Sequence, residues 1–427
     1  MKLLERLSLL LVLLGLPAGL ALASLAGREG TALPVPTYAE ERIAYADVDG
    51  RVVTVRPDGS DPRTISPPGD GFFTWPTWSP DGRRLAFSGV TEDAEGRPKL
   101  SLYVADSLGQ RVETVYEGEP GALGLLAEGV LHYPLWSPDG SWLAFIVATG
   151  TGPTLFLDRL DDGRPPAMVL DQGPLWMSWS SDGRYLLVHR GLEQFLVDVE
   201  ADGQIKRFEG LRAVSYRAPA WRPGSLQFAY VSGRAFGEYR LLVGDLTTLK
   251  ETALAKVPRQ AAFLWSPDGG KLAVARSVLP GGAVYQDLAI YRADGSVRAV
   301  ATRGNVVAFF WSPDGAKLAY VTAAEDGSVL RWNVLEPDTG EHRLLAEFLP
   351  SQDQLVLLQF FDQYAYSHSP WSPDSRYLVF AGKLKGQAVT AGMGAQTAVP
   401  QVVVLDVSTP ELAQVIAQGR LAFWSPR

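Results

Sequence analysis

Two features of this chain carry residue types that could do chemistry, and the first is its set of histidines. The chain has four histidines, of which His132 and His368 stand four and three residues before a repeated tryptophan. Two neutral imidazoles and a carboxylate such as Asp362 form a ligand set that zinc and related metals accept. One interpretation is therefore a metal-dependent hydrolase or lyase. The alternative is that these histidines are structural, and because their spacing matches no metal motif we assign no metal and no cofactor.

The second feature is the stretch 360–368, which mixes aromatic rings with Asp, Gln and His. Rings give contact area and polar groups give orientation, as recognition of a peptide or a sugar requires. Residues shortly before other repeated tryptophans extend this candidate binding set. The predicted set is Phe361, Asp362, Tyr364, Tyr366, His368, His132, Tyr133, Trp75, Trp176 and Arg217. The alternative is that the stretch lengthens a strand or forms a short helix, with its rings packed over the sheet.

Composition and missing motifs exclude several function classes. The net charge is −8 and the sequence pI is about 5.2, which argues against a nucleic-acid partner. The chain has no cysteine, which excludes disulfides, thiolate metal sites and a lipid-anchored N-terminal cysteine. No Gly-x-Ser-x-Gly, His-Glu-x-x-His or phosphate-binding motif occurs in the sequence. We therefore expect a binding module rather than an enzyme.

A repeated motif must position these residues. A Trp followed by Ser-Pro-Asp or a close variant recurs at intervals of 42 to 60 residues. The eight motif tryptophans are Trp78, Trp136, Trp179, Trp221, Trp265, Trp311, Trp371 and Trp424. Short strand-like runs separated by polar turns follow most of them, and four such strands in about 40–45 residues indicate a blade of a β-propeller with WD40-like repeats. We expect the tryptophans to be structural wedges between blades.

Ser-Pro-Asp-Gly has the chemistry of a turn. Pro fixes φ, Asp bonds to the backbone of its own turn, and Gly accepts the left-handed conformation before the next strand. The repeated aspartates are therefore expected to shape turns and not to act as catalytic acids.

The two ends of the repeat region complement each other. Residues 42–45 resemble the second strand of a blade, which normally follows a motif, but no motif precedes them. Residues 420–426 resemble the first strand of a blade, with no second strand after them. The predicted fold is an all-β, eight-bladed β-propeller of four-stranded antiparallel blades, closed by the C-terminal strand, with seven blades as the alternative. The predicted domain is 41–427, with blade 1 at 41–68 plus 419–427 and blades 2 to 8 at 71–116, 129–170, 174–209, 212–255, 259–302, 305–347 and 365–416.

The N-terminal segment has a different character. Lys2 and Arg6 begin it, residues 7–22 are almost entirely apolar, and small residues follow. This pattern is typical of a signal peptide, residues 1–26, with an uncleaved anchor that tethers the protein to the membrane as the alternative. Residues 27–40 are predicted to be a linker. Both interpretations place the protein outside the cytoplasm, secreted or periplasmic or on the outer face of the cytoplasmic membrane.

The repeats resemble a known family. The sequences WSPDGRRLAF, WSPDGSWLAF and WSPDGAKLAY, which start at Trp78, Trp136 and Trp311, are similar to those of TolB-type propellers of the Tol–Pal envelope system. The resemblance covers roughly residues 41–427 and implies extracytoplasmic binding of a protein, peptide or envelope polymer. TolB proteins carry an α/β domain before a six-bladed propeller, whereas here only a linker precedes the first blade and the repeats number eight.

Connection lengths predict which face binds. In a four-strand meander the motif turns and the turns between third and fourth strands share one face, and the latter are short, as at residues 292–295. The other face carries the long connections, at 88–99, 116–130, 275–286, 345–367 and 381–400. Elaborated loops on a rigid scaffold usually hold binding residues, so we expect the ligand on this long-connection face.

The N-terminal segment yields a first prediction. The mature protein is expected to start near Ser24 or Gly27, or to remain membrane-bound through residues 7–26. Cell fractionation with mass spectrometry of the N-terminal peptide checks it. Recovery of the intact chain from the cytoplasmic fraction would contradict both versions.

Overall fold

The computed structural model describes residues 41–121, 124–126, 130–173, 175–199, 205–212, 217–233, 239–258, 260–277, 284–385 and 399–427. The predicted signal or anchor segment, 1–26, and the predicted linker, 27–40, lie outside the described residues. The described chain forms antiparallel β-sheets and two short α-helices. None of the helices in this part is long and apolar enough to cross a membrane.

Four separate sheets of four strands follow one another along the chain. Their strands are β4 (Phe72–Trp78), β5 (Arg84–Glu92), β6 (Pro98–Asp106) and β7 (Val112–Glu117); β8 (His132–Trp136), β9 (Trp142–Thr149), β10 (Gly152–Arg159) and β11 (Ala167–Leu170); β12 (Leu175–Trp179), β13 (Tyr185–Arg190), β14 (Glu193–Val199) and β15 (Ile205–Arg212); and β16 (Ala220–Trp221), β17 (Gln227–Gly233), β18 (Tyr239–Asp245) and β19 (Lys250–Val257). Consecutive residues of their inner strands are buried, because both faces of each sheet are covered.

The remaining strands form one continuous sheet of thirteen, ordered β20 to β29 and then β1 to β3. They are β20 (Gln260–Trp265), β21 (Lys271–Ser277), β22 (Tyr285–Arg292), β23 (Val297–Trp311), β24 (Leu318–Ala323), β25 (Leu330–Glu336), β26 (Glu341–Pro350), β27 (Tyr377–Leu384), β28 (Gln401–Asp406), β29 (Gln414–Trp424), β1 (Ile43–Asp47), β2 (Val52–Val55) and β3 (Arg63–Thr64). Between β26 and β27 lie α1 (Gln352–Gln359) and α2 (Phe361–Tyr364), and a 3₁₀ turn covers Pro410–Leu412.

Two long strands, β23 and β29, each pair with a different strand along each half of their length. The first part of β23 pairs with β22 and its last part with β24. In the same way β29 pairs with β28 and then with β1, in a register that sets Ile43 opposite Trp424 and Tyr45 opposite Ala422. The last strand of the chain is therefore hydrogen-bonded to the first described one.

The motif turns form as their sequence predicts. The Ser79 hydroxyl donates to the Asp81 carboxylate at 2.6 Å and accepts the Arg84 amide at 2.9 Å. The same contacts recur in other turns, where the Ser266 hydroxyl lowers the pKa of Asp268. Gly holds a positive φ in most of these turns; Ser375 takes that place with φ +60°. An L residue is strained there.

The motif tryptophans join neighbouring sheets through hydrogen bonds. The indole N–H of Trp136 donates to the carbonyl of Thr77, the residue before the previous motif tryptophan. Six such bonds of 2.9–3.4 Å are present among the described residues: Trp78 to Phe423, Trp136 to Thr77, Trp179 to Leu135, Trp221 to Ser178, Trp311 to Leu264 and Trp371 to Phe310. The Trp78 bond reaches across 345 residues to the C-terminal strand. The indole nitrogens of Trp265 and Trp424 are buried without a partner in the described part.

Basic side chains add a second link between neighbouring sheets. The Arg84 guanidinium lies 4.9 Å from the centre of the Trp136 ring and donates to the Gly140 carbonyl at 2.7 Å. Arg222 makes the equivalent contacts with Trp265 and Gly269 at 5.3 and 2.8 Å. Each cation thus ties one motif turn to the next by a cation–π contact and a charge-assisted hydrogen bond.

Removal of residues 419–427 tests the role of the C-terminal strand. The deletion takes away the pairing with β1, the buried side chains of Leu421, Phe423 and Trp424, and the acceptor of Trp78. We expect aggregation, or a loss of unfolding free energy of roughly 3 kcal/mol or more. Thermal and denaturant melts measure it, with a chain shortened only by Pro426 and Arg427 as the control. Equal melts for both chains would contradict the expectation.

Candidate functional site

Residues 351–369, named here the inserted segment, lead from β26 to Trp371. The Ser351 hydroxyl accepts the Gln354 amide at 3.0 Å and so caps α1, with Asp353 in the first turn. Such caps provide a hydrogen-bond acceptor for a backbone amide in the first turn, which has no partner within the helix. The sequence predicts an elaborated surface connection at 345–367. The structure instead continues β26 to Pro350 and packs both helices inward, because most of their side chains are buried.

Aromatic contacts hold the inserted segment among the first strands of several sheets. Phe361 is 0% exposed and lies 4.6 Å from the Phe309 ring. Tyr364 is 5% exposed, stacks on Trp75 at 4.8 Å and meets the Tyr133 ring edge-on at 5.0 Å. The segment is therefore the core that these strands share, and its rings act as packing residues.

Buried polar contacts fix the same segment. The Asp362 carboxylate accepts the Ala218 amide at 3.2 Å and lies 3.5 Å from the Arg217 guanidinium. The Gln363 side chain accepts the Met177 amide at 3.2 Å, and its backbone carbonyl accepts the Tyr133 hydroxyl at 2.7 Å. These partners offset the cost of burying a charge and an amide.

The two candidate metal ligands bind hydroxyl groups. The His368 ring nitrogens lie 2.7 Å from Ser367 Oγ and 3.0 Å from Thr77 Oγ1. His132 Nδ1 lies 3.1 Å from Ser88 Oγ. Burial lowers the pKa of His132 and of His368 to about 3, so both rings are neutral at neutral pH. No group of three or more His, Asp or Glu side chains in the described part of the chain is arranged to hold a metal ion.

The predicted binding residues divide into a buried group and an exposed one. Phe361, Asp362, Tyr364, His368, His132, Tyr133, Trp75 and Trp176 are buried, and Arg217 is largely so. Tyr366 is 46% exposed. The buried residues contact one another and the surrounding strands, as the packing interpretation of the sequence expects. Ligand contact by these residues stays a prediction, and the geometry offers it most directly to Tyr366.

A cavity of about 460 Å³, named here the bowl, opens on the face of the motif turns. Its lining residues are Trp78, Pro80, Leu135, Trp136, Pro138, Met177, Ser178, Trp179, Ser181, Trp221, Pro223, Pro313, Gln363, Tyr366, Ser367, Ser369, Trp371, Pro373, Trp424, Ser425 and Pro426. Indole edges and proline rings form its walls, and the end of the inserted segment forms its floor. No lining residue is charged, so the bowl offers apolar surface with a few hydroxyl and amide groups.

Sequence reasoning missed the bowl because it treated the motif only as scaffold. The sequence did contain a signal for a cavity on this face. Every Trp-Ser-Pro motif ends a first strand, and all first strands end on the same face. Prolines such as Pro80 and Pro138 therefore converge there. The sequence instead favoured the long-connection face. Three of its five connections include residues outside the described ranges, namely 122–123 and 127–129, 278–283, and 386–398. The connection at 88–99 is mostly strand, with only a short turn between β5 and β6.

Two curated proteins are similar to parts of this chain, and no family model matches it. Over 158 residues, 36% of the chain, it is 34% identical to an uncharacterized peptidase, YuxL, of Bacillus subtilis (strain 168). Over 107 residues, 25% of the chain, it is 30% identical to the Tol-Pal system protein TolB of Alcanivorax borkumensis. The resemblance to TolB-like propellers is confirmed. The matched segments span only about a fifth of those two relatives, 21% and 19%.

A solved structure of a eukaryotic initiation factor covers more of the chain. The match includes 92% of this chain and 99% of the other, with a TM-score of 0.56 and 11% identity. Likeness at this identity shows the fold alone. With the antiparallel sheets described above, this chain is an all-β protein of the β-propeller type.

The two tyrosines of the inserted segment form a matched pair for substitution. Tyr364→Ala removes a buried ring from contacts with Trp75 and Tyr133, and is expected to cost about 3–5 kcal/mol of unfolding free energy. Tyr366→Ala removes a half-exposed ring and is expected to cost about 1 kcal/mol or less. Denaturant melts measure both. A stable Tyr364→Ala variant would show that the segment is not part of the core.

Acid is expected to destabilise the protein through its buried histidines. The ordinary pKa of 6.5 returns on unfolding, whereas the folded pKa of His132 and His368 is about 3. The unfolded state therefore binds more protons below pH 6.5, and stability falls as the pH drops from there towards 3. His368→Gln should flatten this decline in melts over a pH series measured beside the parent chain. Equal slopes in the variant and the parent chain would contradict the assignment.

Proposed function

We propose that this protein is an extracytoplasmic binding module that recognises a protein, peptide or envelope polymer through the bowl. The observation that carries the proposal is an uncharged cavity of about 460 Å³ with a 46% exposed tyrosine at its floor. Ligand sites are typically concave and mostly apolar, with few polar groups, and cavities of roughly 300–1,000 Å³ are usual. An exposed ring in such a place gives a partner a large, rigid contact.

The propeller that carries the bowl is proposed to be an eight-bladed closed ring. The pairing of β1 with β29 and the bond from Trp78 to Phe423 support closure. The sheet of thirteen strands divides at β23, at β29 and at the bridge between Trp371 and Leu378 into four groups of four. Together with the four separate sheets these groups support the proposed count of eight blades.

The bowl is preferred to the long-connection face for a physical reason. The aromatic residues that the sequence assigned to the long-connection face are used in packing the inserted segment. Their exposure is too small for them to contribute contact area to a partner without a rearrangement of the core. In the bowl, by contrast, Tyr366 is 46% exposed and Ser181 is exposed.

The proposed compartment is outside the cytoplasm, either periplasmic or secreted, or tethered to the outer face of the cytoplasmic membrane. The signal-like residues 1–26 and the similarity to a Tol-Pal system protein support this placement. A protein or envelope polymer in the same compartment is then the natural partner class.

The histidine contacts with Ser367, Thr77 and Ser88 give no support to the alternative function, a metal-dependent hydrolase or lyase.

Site-specific crosslinking tests the proposal. A photo-crosslinking residue at Ser181, which lines the bowl and is exposed, is expected to give a discrete crosslinked product in the cell envelope. The same residue at Ser328, an exposed position in the turn between β24 and β25 on the opposite face, serves as the control. Tyr366→Asp should abolish the Ser181 product by placing a charge at the floor.

The pattern of products decides between the two faces. A product at Ser328 with none at Ser181 would overturn the bowl and favour the long-connection face. A Ser181 product that survives Tyr366→Asp would show that the crosslinked neighbour lies at the rim and does not use the floor.

A further inference from the structure

One position in the wall of the bowl differs from its equivalents in the other motif turns. Most of these turns place a proline in the wall: Pro80, Pro138, Pro223, Pro313, Pro373 and Pro426. In the turn that follows Trp179 the same position holds Ser181, which is exposed and also lines the bowl. A hydroxyl group therefore interrupts a wall of proline rings.

The Ser181 hydroxyl has a hydrogen to donate. Its oxygen accepts the Gly224 amide at 3.1 Å, and the Ser369 hydroxyl in the same cavity accepts the Trp371 amide at 3.2 Å. A hydroxyl group has one hydrogen and two lone pairs. No protein acceptor for the hydrogen of either serine is present in the described part of the chain. Both hydroxyls are therefore positioned by a backbone amide and can donate to a ligand.

The bowl offers a ligand hydrogen-bond donors but no charged acceptor. No acidic or basic side chain lines it, so neither the N–H groups nor the charges of a ligand meet an opposite charge there. A polar group that is buried without a partner costs free energy, and a buried charge costs more. The chemistry that fits is therefore an uncharged ligand with carbonyl oxygens and few N–H or O–H groups.

A proline-containing peptide has this chemistry. Proline keeps its backbone carbonyl but has no N–H, and its ring is apolar. Proline-rich segments adopt an extended helix without internal hydrogen bonds, and they lose little conformational entropy on binding. Aromatic-lined sites accept such segments, and the half-exposed Tyr366 together with the indole edges of the motif tryptophans supplies that lining. A saccharide fits less well, because each sugar ring brings several O–H donors into a cavity with few acceptors.

We propose that the bowl binds an uncharged, proline-containing segment of a partner protein, and that the Ser181 hydroxyl donates to one of the backbone carbonyls of that segment. The inference rests on the proposed function of the bowl as a ligand site, and it narrows the ligand from a protein, peptide or envelope polymer to one class of peptide. Ser181 then acts as a specificity residue, because the proline that most other turns hold at this position has no hydrogen to donate.

Titration with a synthetic peptide tests the proposal. The probe is an acetylated and amidated peptide, Leu-Pro-Pro-Leu-Pro-Pro, and the fluorescence of the tryptophans that line the bowl reports its binding. The parent chain is expected to bind it about tenfold more tightly than Leu-Ala-Ala-Leu-Ala-Ala, which adds N–H groups but no charge. Ser181→Ala should weaken binding of the proline peptide about threefold to tenfold, as the loss of one neutral hydrogen bond does.

Matched variants identify the cause. Ser181→Thr keeps the hydroxyl and should bind like the parent chain, whereas Ser181→Pro, which introduces the residue of the other turns, should bind like Ser181→Ala. Ser328→Ala on the opposite face should leave binding unchanged, and thermal melts verify that each variant is folded. Equal binding by the parent chain and Ser181→Ala would overturn the role of Ser181. Tighter binding of the alanine peptide, or of a neutral tetramer of N-acetylglucosamine, would overturn the proline-containing partner.

Failure of this inference is distinguishable from failure of the proposed function. If the proline peptide does not bind but the Ser181 crosslink forms and is lost with Tyr366→Asp, the bowl takes a ligand of another chemistry and the inference is overturned. If the peptide binds as expected but no crosslink forms in the cell envelope, the chemistry of the bowl stands and its proposed role in the envelope is overturned.

Discussion

The bond from a motif indole to the backbone of the preceding sheet, made by six of the eight motif tryptophans in the described part of the chain, is the interaction on which this architecture depends. A four-stranded sheet with apolar residues on both faces cannot stand alone in water, and the tryptophan wedge covers one of those faces. The indole N–H then fixes where the wedge sits, because the acceptor is always the carbonyl just before the neighbouring tryptophan, as in Trp136 to Thr77 and Trp371 to Phe310. Each added sheet is thus set against the previous one by the same geometry, and cations such as Arg84 reinforce the link. The bond from Trp78 to Phe423 applies that geometry between the two ends of the chain.

Sheets arranged in this way leave space between their first strands, and the inserted segment fills it. Apolar groups meet rings, as with Phe361 against Phe309, and polar groups meet backbone amides, as with Asp362 and Ala218. The segment contacts strands that are far apart in sequence, such as those that hold Trp75 and Phe309, and so helps to fix their mutual arrangement. The cost is the burial of Asp362, Gln363 and His368, which the surrounding donors and acceptors offset.

The bowl is a by-product of these two arrangements. The motif turns bring indole edges and prolines to one face. The inserted segment ends below that face, and its half-exposed Tyr366 forms part of the floor of the bowl. Charged groups are excluded from the lining because the motif aspartates bind the serines and amides of their own turns, as Asp81 does with Ser79. The result is a neutral, mostly apolar cavity on an acidic protein. Such a cavity selects its ligand by shape and ring contacts and not by charge.

The sequence by itself determined what is local or periodic. The recurrence of Trp-Ser-Pro-Asp-Gly predicted the strands, the motif turns, the structural tryptophans and the propeller class. These features follow from local sequence, because the residue types within a four-residue turn or a five-residue strand determine its conformation. Residues 360–368 show where such reasoning ends. Their mixture of rings and polar groups suits either a ligand or a crowded core, and the choice depends on which surfaces the strands of distant repeats present to them. Only the tertiary structure decided that Phe361 and Tyr364 are covered while Tyr366 is open, and that the motif face holds the cavity. Burial is a property of contacts between residues far apart in the chain, and no local pattern encodes it.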